Sequence, residues 1–357
     1  MDVSGLFADP YRATYRLTGC APSGPLREAL AGGANRLGDI WVAPRPDELY
    51  PAGSERIDAW HLADVRVVDH RPHAGDAALW DIVIEGADGY VDPPDDPYFG
   101  AGLMLHDERE PLGTCGDFTE LDPPDDEPGP APLRLIGCAP GAALQEALAI
   151  GTKSALRLGE ALLVVLDRTG AELTDRHVTA EVAAWRPSAL GPGLIDIDLT
   201  EALWETVPVF ARPLWERRID GCPREPNAWA GYGTADRQAW LDLVREHGCR
   251  GRSTPDRPAG TVYRMDGRHI TDVPGLYLAL GEAVNGPGGY FGGCFGAVHD
   301  CLRGNFGATA PFTLVWEDSD VARRGLARVL SPQGERYSYF DEMVLELTER
   351  RVEVILR

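Results

Sequence analysis

The chain carries an internal repeat. YRLTGCAPSGPLREAL begins at Tyr15, and LRLIGCAPGAALQEAL begins at Leu133, 118 residues on. Arg16, Leu17, Gly19, Cys20, Ala21, Pro22, Leu26, Glu28, Ala29 and Leu30 recur as Arg134, Leu135, Gly137, Cys138, Ala139, Pro140, Leu144, Glu146, Ala147 and Leu148. The echo continues downstream, where Arg71-Pro72 precedes Leu79-Trp80-Asp81-Ile82 and Arg186-Pro187 precedes Leu194-Ile195-Asp196-Ile197 at the same spacing. Recurrence of the same apolar, turn and charged positions predicts one small plan used twice. At roughly 100–200 residues per domain, a chain of 357 residues holds two or three domains. The expected division is 1–115 and 131–248 for the two copies and 261–357 for a third domain.

Each copy reads as α+β and strand-rich. A strand (Thr14–Cys20; Leu133–Cys138) leads to a short helix (Leu26–Ala31; Ala143–Ala149) with Ala and Leu at helical spacing. An apolar strand follows (Asp39–Ala43; Ala161–Asp167), then a hairpin (Leu62–His70 with Leu79–Glu85; Val178–Trp185 with Leu194–Leu199). The alternation Ile195-Asp196-Ile197-Asp198 has the period of a half-buried strand. DFTELDPPDDEPGPAP, from Asp117, is rich in Pro and acid and reads as a linker. The second copy is extended by Pro213 to Gly248, a turn and then a helix capped by Thr234, with Trp240, Leu243 and Val244 on its buried face and Gly248 at its end. A second linker starts at Cys249.

Charge narrows the functional classes. Lys plus Arg number 34 against 56 Asp plus Glu, a formal net charge of -22. Such a chain repels phosphate backbones, which argues against direct nucleic-acid binding, and attracts basic partners. The seven scattered cysteines form no CxxC pair and read as thiols of a reducing cytoplasm. Cys294 and Cys301 share a helix face but stand too far apart on it for a disulfide. The opening MDVSGLFADPYRATYRL lacks the pattern of a signal peptide, and no apolar run approaches the length of a membrane span. A cytoplasmic location and no membrane contact are expected. No GxSxG, HExxH or Walker pattern occurs; the eight histidines show no metal spacing, so no catalytic residue, metal or cofactor is expected.

The third domain reads as a strand (Thr261–Met265), a turn at Asp266-Gly267, a helix opened by Thr271-Asp272, a Gly-rich loop (Gly286–Gly293), a helix from Phe295 to Arg303, a buried strand in PFTLVWED from Pro311, a helix over Tyr339–Arg350 and a closing strand (Val352–Leu356). Strands separated by helices predict a parallel sheet with helices packed on it, hence α/β. Phe340, Met343, Val344 and Leu347 have the helical period.

The order and the strings MDGRHITDVPGLYLALGEAV, GGYFGGCFGAVHDCLRG and PFTLVWED resemble the barstar family of ribonuclease inhibitors, with its opening strand and helix, its inhibitory loop and helix, and its central strand. The resemblance implies a parallel three-stranded sheet with helices and no enzymatic activity. It also implies a partner, a basic ribonuclease or nuclease toxin. It assigns Asp300 to the acid that enters the nuclease's phosphate site and Tyr290, beside Phe291, to the loop aromatic that packs on the enzyme. Gly304 matches the glycine that ends the helix, Cys301 a packing cysteine, and Glu346 an acid that touches the rim. Departures are specific. Gly296 stands where the family has an acid, His299 where it has a bulky aromatic, Asn305 where it has an aromatic after the helix glycine, and Cys294 where it has an asparagine. The alternative function is a scaffold or regulatory protein whose paired repeats recognise the partner while the third domain is degenerate.

Overall fold

The computed structural model describes residues 2–44, 59–89, 102–121, 129–249, 254–327, 329–332 and 334–357. The acidic run at 92–97 and most of the run at 122–130 lie outside them. The protein is a mixed α/β chain of two compact units: Met1–Pro10 with Pro128–Leu326 and Phe340–Arg357, and Tyr11–Glu127 with Ala327–Tyr339.

The chain opens with β1 (Asp2–Ser4), then β2 (Ala13–Pro22), α1 (Gly24–Leu30), β3 (Arg36–Pro44), β4 (Trp60–Pro72), β5 (Trp80–Asp88), β6 (Leu103–His106), β7 (Pro111–Cys115) and β8 (Asp117–Leu121). In the unit that holds Tyr11–Glu127, the strand order is β5-β4-β3-β6-β7-β2-β8, and β2 also pairs with β5, so the ladder closes on itself. Closure removes edges and leaves one interior, filled by Leu17, Ile40, Leu62, Ile82, Ile84 and Leu105, with Leu26 and Ala29 of α1 packed into it. The hairpin β4–β5 follows the expected pattern, whereas β6 and β7 were not anticipated.

One sequence expectation is corrected here. Asp117–Leu121 is not linker but β8, antiparallel to β2 from Thr14↔Leu121 to Thr18↔Asp117. The reason is Phe118, whose ring lies 5.0 Å from Tyr15 and 4.7 Å from Trp60, centroid to centroid. One aromatic packed against the core outweighs the polar residues around it.

The second strand-rich region comprises β9 (Ala131–Cys138), α2 (Ala142–Ile150), α3 (Lys153–Leu156), β10 (Arg157–Leu166), β11 (Glu172–Pro187) and β12 (Ile195–Leu203). Its sheet runs β1-β9-β12-β11-β10, all antiparallel, and is open. Local constructions recur between the two sheets. Gly19 (φ 63°) and Gly137 (φ 70°) adopt the left-handed conformation, and their N–H groups donate to Asp81 and Asp196 at 3.2 and 3.0 Å. Arg71 and Arg186 pair with the same two carboxylates at 3.5 and 3.3 Å. Cys20 and Cys138 are buried beside these glycines. The hydrogen bond with Cys115 and then burial push the Cys20 thiol well above its usual range, as for a packed thiol.

After a 3₁₀ turn come α4 (Arg212–Asp220) and α5 (Thr234–Cys249). The face of α5 is as expected, with Trp240, Leu243 and Val244 buried. Its predicted cap is corrected: the helix already includes Thr234, Gly233 O accepts from Arg237 N (2.9 Å), and Gly248 falls within the helix; the Thr234 hydroxyl donates to Asp272 Oδ2 at 2.9 Å.

The C-terminal region contains β13 (Val262–Asp266), α6 (Val273–Asn285), α7 (Phe295–Leu302), β14 (Phe312–Glu317), α8 (Ser319–Gly325), β15 (Val329–Leu330), β16 (Arg336–Tyr337), α9 (Tyr339–Glu349) and β17 (Val352–Leu356). Strands β13, β14 and β17 form a parallel three-stranded sheet with β14 central. The central strand reads as a continuous apolar run because both faces are covered, and Leu314, Val315 and Trp316 are buried. Helix α8 and the β15–β16 hairpin carry too few apolar residues to be read from sequence. The hairpin segment belongs with the closed sheet. There Leu330 N–H donates to Glu108 O (2.6 Å) and His106 Nε2 lies 3.1 Å from Pro332 O.

At the end of β13, Asp266 is held well below the ordinary carboxylate range by Arg268 first, with Asn227 adding a further hydrogen bond. A carboxyl whose pKa is depressed on folding stabilises the fold above its unfolded pKa of about 3.9 and loses that contribution as pH falls towards the folded value. Urea midpoints measured from pH 5 down to pH 2.5 are therefore expected to fall more steeply for the parent than for Asp266→Asn. Parallel curves would remove Asp266 from the acid response.

Candidate functional site

Helix α7 owes its position to one apolar face. Val298, Cys301 and Leu302, at i, i+3 and i+4, are buried, which turns Gly296 and Asp300 outward. The helix is opened by Cys294, whose Sγ accepts from Ala297 N at 3.4 Å. The thiol thus takes the capping place usually held by Asn, Asp or Ser, as a weaker acceptor. Gly304, with φ 111°, follows the C-cap Arg303, and Asn305 continues with φ 70°. The Asp256 carboxylate holds this turn, accepting from Asn305 N (2.9 Å) and Gly307 N (3.2 Å).

The Gly-rich loop is fastened from inside. Asn285 Nδ2, at the end of α6, donates to Tyr290 O (2.7 Å) and Phe306 O (2.8 Å), which ties the loop to the segment that follows α7. Glycine is required where backbones meet: a β-carbon on Gly281 would stand 2.3 Å from Gly289 O. Glu282 accepts from Gly288 N and Asn227 N, and burial raises its pKa.

Asp300 is solvated, with 71% of its side chain exposed, and its Oδ1 lies 3.8 Å from Arg303 Nη1. Gly296 and Asn305 are exposed; His299 and Gly304 are half-buried. These five residues cluster on α7 and its C-terminal turn. Glu346 sits on α9 and pairs with Arg350 four residues on (3.1 Å). Its partner thus stands at the C-terminal end of its own helix and not on α7.

The two loop aromatics are placed differently from the sequence reading. Phe291 is fully buried, with its ring 6.5 Å from that of Phe312, so in this conformation it is a core residue rather than a contact. Tyr290 is 7% exposed, packed against Phe306 at 6.2 Å and covered by Gly248 of α5. The resemblance implies a Tyr290 that packs on a partner, and nothing in the string reports that α5 lies over it. The single local sign is glycine at 248, where a β-carbon would come 2.6 Å from Tyr290 Cβ.

The exposed surface of α7 thus offers one acid, one Arg and a His, with no cluster of three or more His, Cys, Asp or Glu placed to hold a metal among the described residues. Also among them, no helix is long and apolar enough to cross a membrane. Chemically, the face can present a rigidly mounted carboxylate to a cationic pocket.

Residues 261–350 match the family described as barstar (barnase inhibitor). No curated protein and no solved structure matches the chain.

Proposed function

Starting from that barstar-type region, we propose that the protein is an intracellular inhibitor, or immunity protein, of a basic ribonuclease or nuclease toxin, with Asp300 as the group that enters the enzyme's phosphate site. The observation that carries this reading is the Asp300 carboxylate, outward on a short helix whose opposite face is locked into the core. A nuclease concentrates cations to stabilise a phosphoryl transition state. A fixed carboxylate can occupy that site through charge-assisted hydrogen bonds. The excess of acid in the chain speeds encounter with a basic target. The test is stoichiometric inhibition of barnase, and of ribonucleases encoded beside this chain, by the full-length protein. Unchanged RNA cleavage at micromolar inhibitor would reject the reading.

Arg303 competes for Asp300. Truncating it to alanine frees the carboxylate and removes a cation that a basic partner would meet. Exposed i,i+3 pairs are worth only a few tenths of a kcal/mol, so Arg303→Ala is expected to tighten the complex by about two- to tenfold, chiefly through the association rate. Stopped-flow association at low and high salt measures this. A slower association at low salt would contradict the assignment of the α7 face.

A second reading is favoured by one observation in the open sheet. Leu162, Val164 and Leu166 project from β10, an edge strand among the described residues, and are each more than a third exposed. An apolar edge of this kind is a template for strand addition. On this reading the paired repeats recognise a partner and the C-terminal region docks. Retention of the partner by Asp300→Ala, with its loss on Leu162→Lys/Val164→Lys, would select it.

A further inference from the structure

The loop assigned to the partner is already occupied by the chain itself. Three contacts follow it from end to end. A β-carbon on Gly288 would lie 3.0 Å from Pro223 Cδ and 3.3 Å from Arg218 Nη1. Gly248 of α5 stands over Tyr290, and a β-carbon on Gly293 would lie 3.8 Å from Leu241 Cδ2. Helix α5 is tethered on both sides. Its Glu246 receives Arg176 (2.7 Å) and Thr174 (2.5 Å) from β11, and its Arg237 binds Asp272 at the head of α6 (3.1 Å). Asp300 on α7 stays exposed while Tyr290, Phe291 and Gly292 of the loop before it are buried.

We propose that α4 and α5 form a tethered cover over the recognition loop Gly286–Gly293 and keep that loop from a protein partner until the cover is displaced. The inference rests on the reading of this loop as part of the nuclease-binding surface. An independent observation indicates that the cover is closed at a cost. Arg218 of α4 is 1% exposed, and none of its three guanidinium nitrogens has a hydrogen-bond partner among the described residues. A buried unpaired cation is strongly unfavourable. Lifting α4 returns Arg218 to water or to an acid on the arriving protein, so the closed state is biased towards opening. Because β11 and α5 are joined through Glu246, movement of the second sheet is transmitted to the cover.

The test uses the full chain with two readouts: hydrogen exchange at the amides of 288–293, and binding of barnase. A Leu241→Cys/Gly293→Cys pair, with Cys294→Ser to prevent mispairing, locks the cover when oxidised. Gly248→Val forces it off by collision with Tyr290, and Arg218→Met removes the cost of closure. Exchange is expected to slow by at least about tenfold in the oxidised lock, to slow in Arg218→Met, and to quicken by about tenfold or more in Gly248→Val. Barnase binding is expected to tighten by about tenfold in Gly248→Val and to be lost in the lock until reductant is added. Equal binding by the oxidised and reduced lock, with exchange slowed, would overturn the inference, as would exchange that responds to none of the variants. Should Gly248→Val not fold, the oxidised and reduced forms still decide. Exchange that responds to the lock, with no form binding barnase, would uphold the cover and reject the ribonuclease reading instead.

Discussion

On the proposed inhibitor reading, Asp300→Ala is expected to weaken the complex with a target ribonuclease by roughly 30- to 4,000-fold. Truncating one partner of a buried, hydrogen-bonded charge pair at an interface costs about 2–5 kcal/mol, and each 1.4 kcal/mol is tenfold in affinity. The loss belongs in the dissociation rate, because the cation left in the enzyme's pocket is then desolvated and unpaired. In the free protein Asp300 is solvated and only loosely paired with Arg303, so the same substitution should leave stability within about 0.5 kcal/mol of the parent. That separation makes the result diagnostic. Titration calorimetry or surface plasmon resonance gives the affinity, and urea denaturation gives the stability. Inhibition equal to that of the parent would show that α7 is not the recognition face. Asp300→Asn, which keeps the shape, is expected to lose nearly as much, since the charge and not the volume meets the phosphate site.

The largest effect on stability is expected from Asp272→Ala. This carboxylate is 5% exposed and serves two elements at once. Its Oδ1 caps α6 by accepting from Gly275 N at 2.9 Å. Its Oδ2 accepts from Arg237 Nη1 (3.1 Å) and from the Thr234 hydroxyl (2.9 Å) of α5. Removing it leaves Arg237, itself 8% exposed, as a buried cation with one fewer anion. Breaking a buried pair from one side costs about 3–5 kcal/mol, and loss of the cap adds about 1 kcal/mol. Arg237 also donates to Ala230 O and Thr271 Oγ1 and lies over the Trp229 ring at 5.2 Å, so part of the charge stays satisfied and the lower end of the range is expected. Adding Arg237→Met should recover much of the loss, because a buried pair replaced by apolar groups is often neutral. Urea unfolding monitored by exchange at α6 amides gives these values. A cost under about 1 kcal/mol would mean that α5 and α6 are not coupled through this pair.

Local signals were read well where one residue type serves one purpose. Asp272 before Val273-Pro274 marks a helix start, and it caps α6 as such a residue should. The spacing of Phe295, Val298 and Leu302 sets Asp300 on the opposite face, and Val298 and Leu302 are buried while Asp300 is exposed. The apolar run in PFTLVWED marks the strand covered on both faces. The fold was illegible where a residue's role depends on a distant neighbour. Phe118 makes β8 out of an acidic stretch because Tyr15 and Trp60 await it. The β15–β16 hairpin is too short to carry a period.

The sequence by itself determined the recurring N-terminal string, the three parallel strands and three of the helices of the C-terminal region, and the outward placement of Asp300. All of these follow from short-range periodicity and capping, whose physics is contained within a few residues. Only the tertiary structure decided that Tyr290 and Phe291 turn inward and that α4 and α5 lie along the Gly-rich loop. Glycines at 248 and 288 permit that approach without announcing it, since a missing side chain shows where backbones can meet and not which backbone arrives.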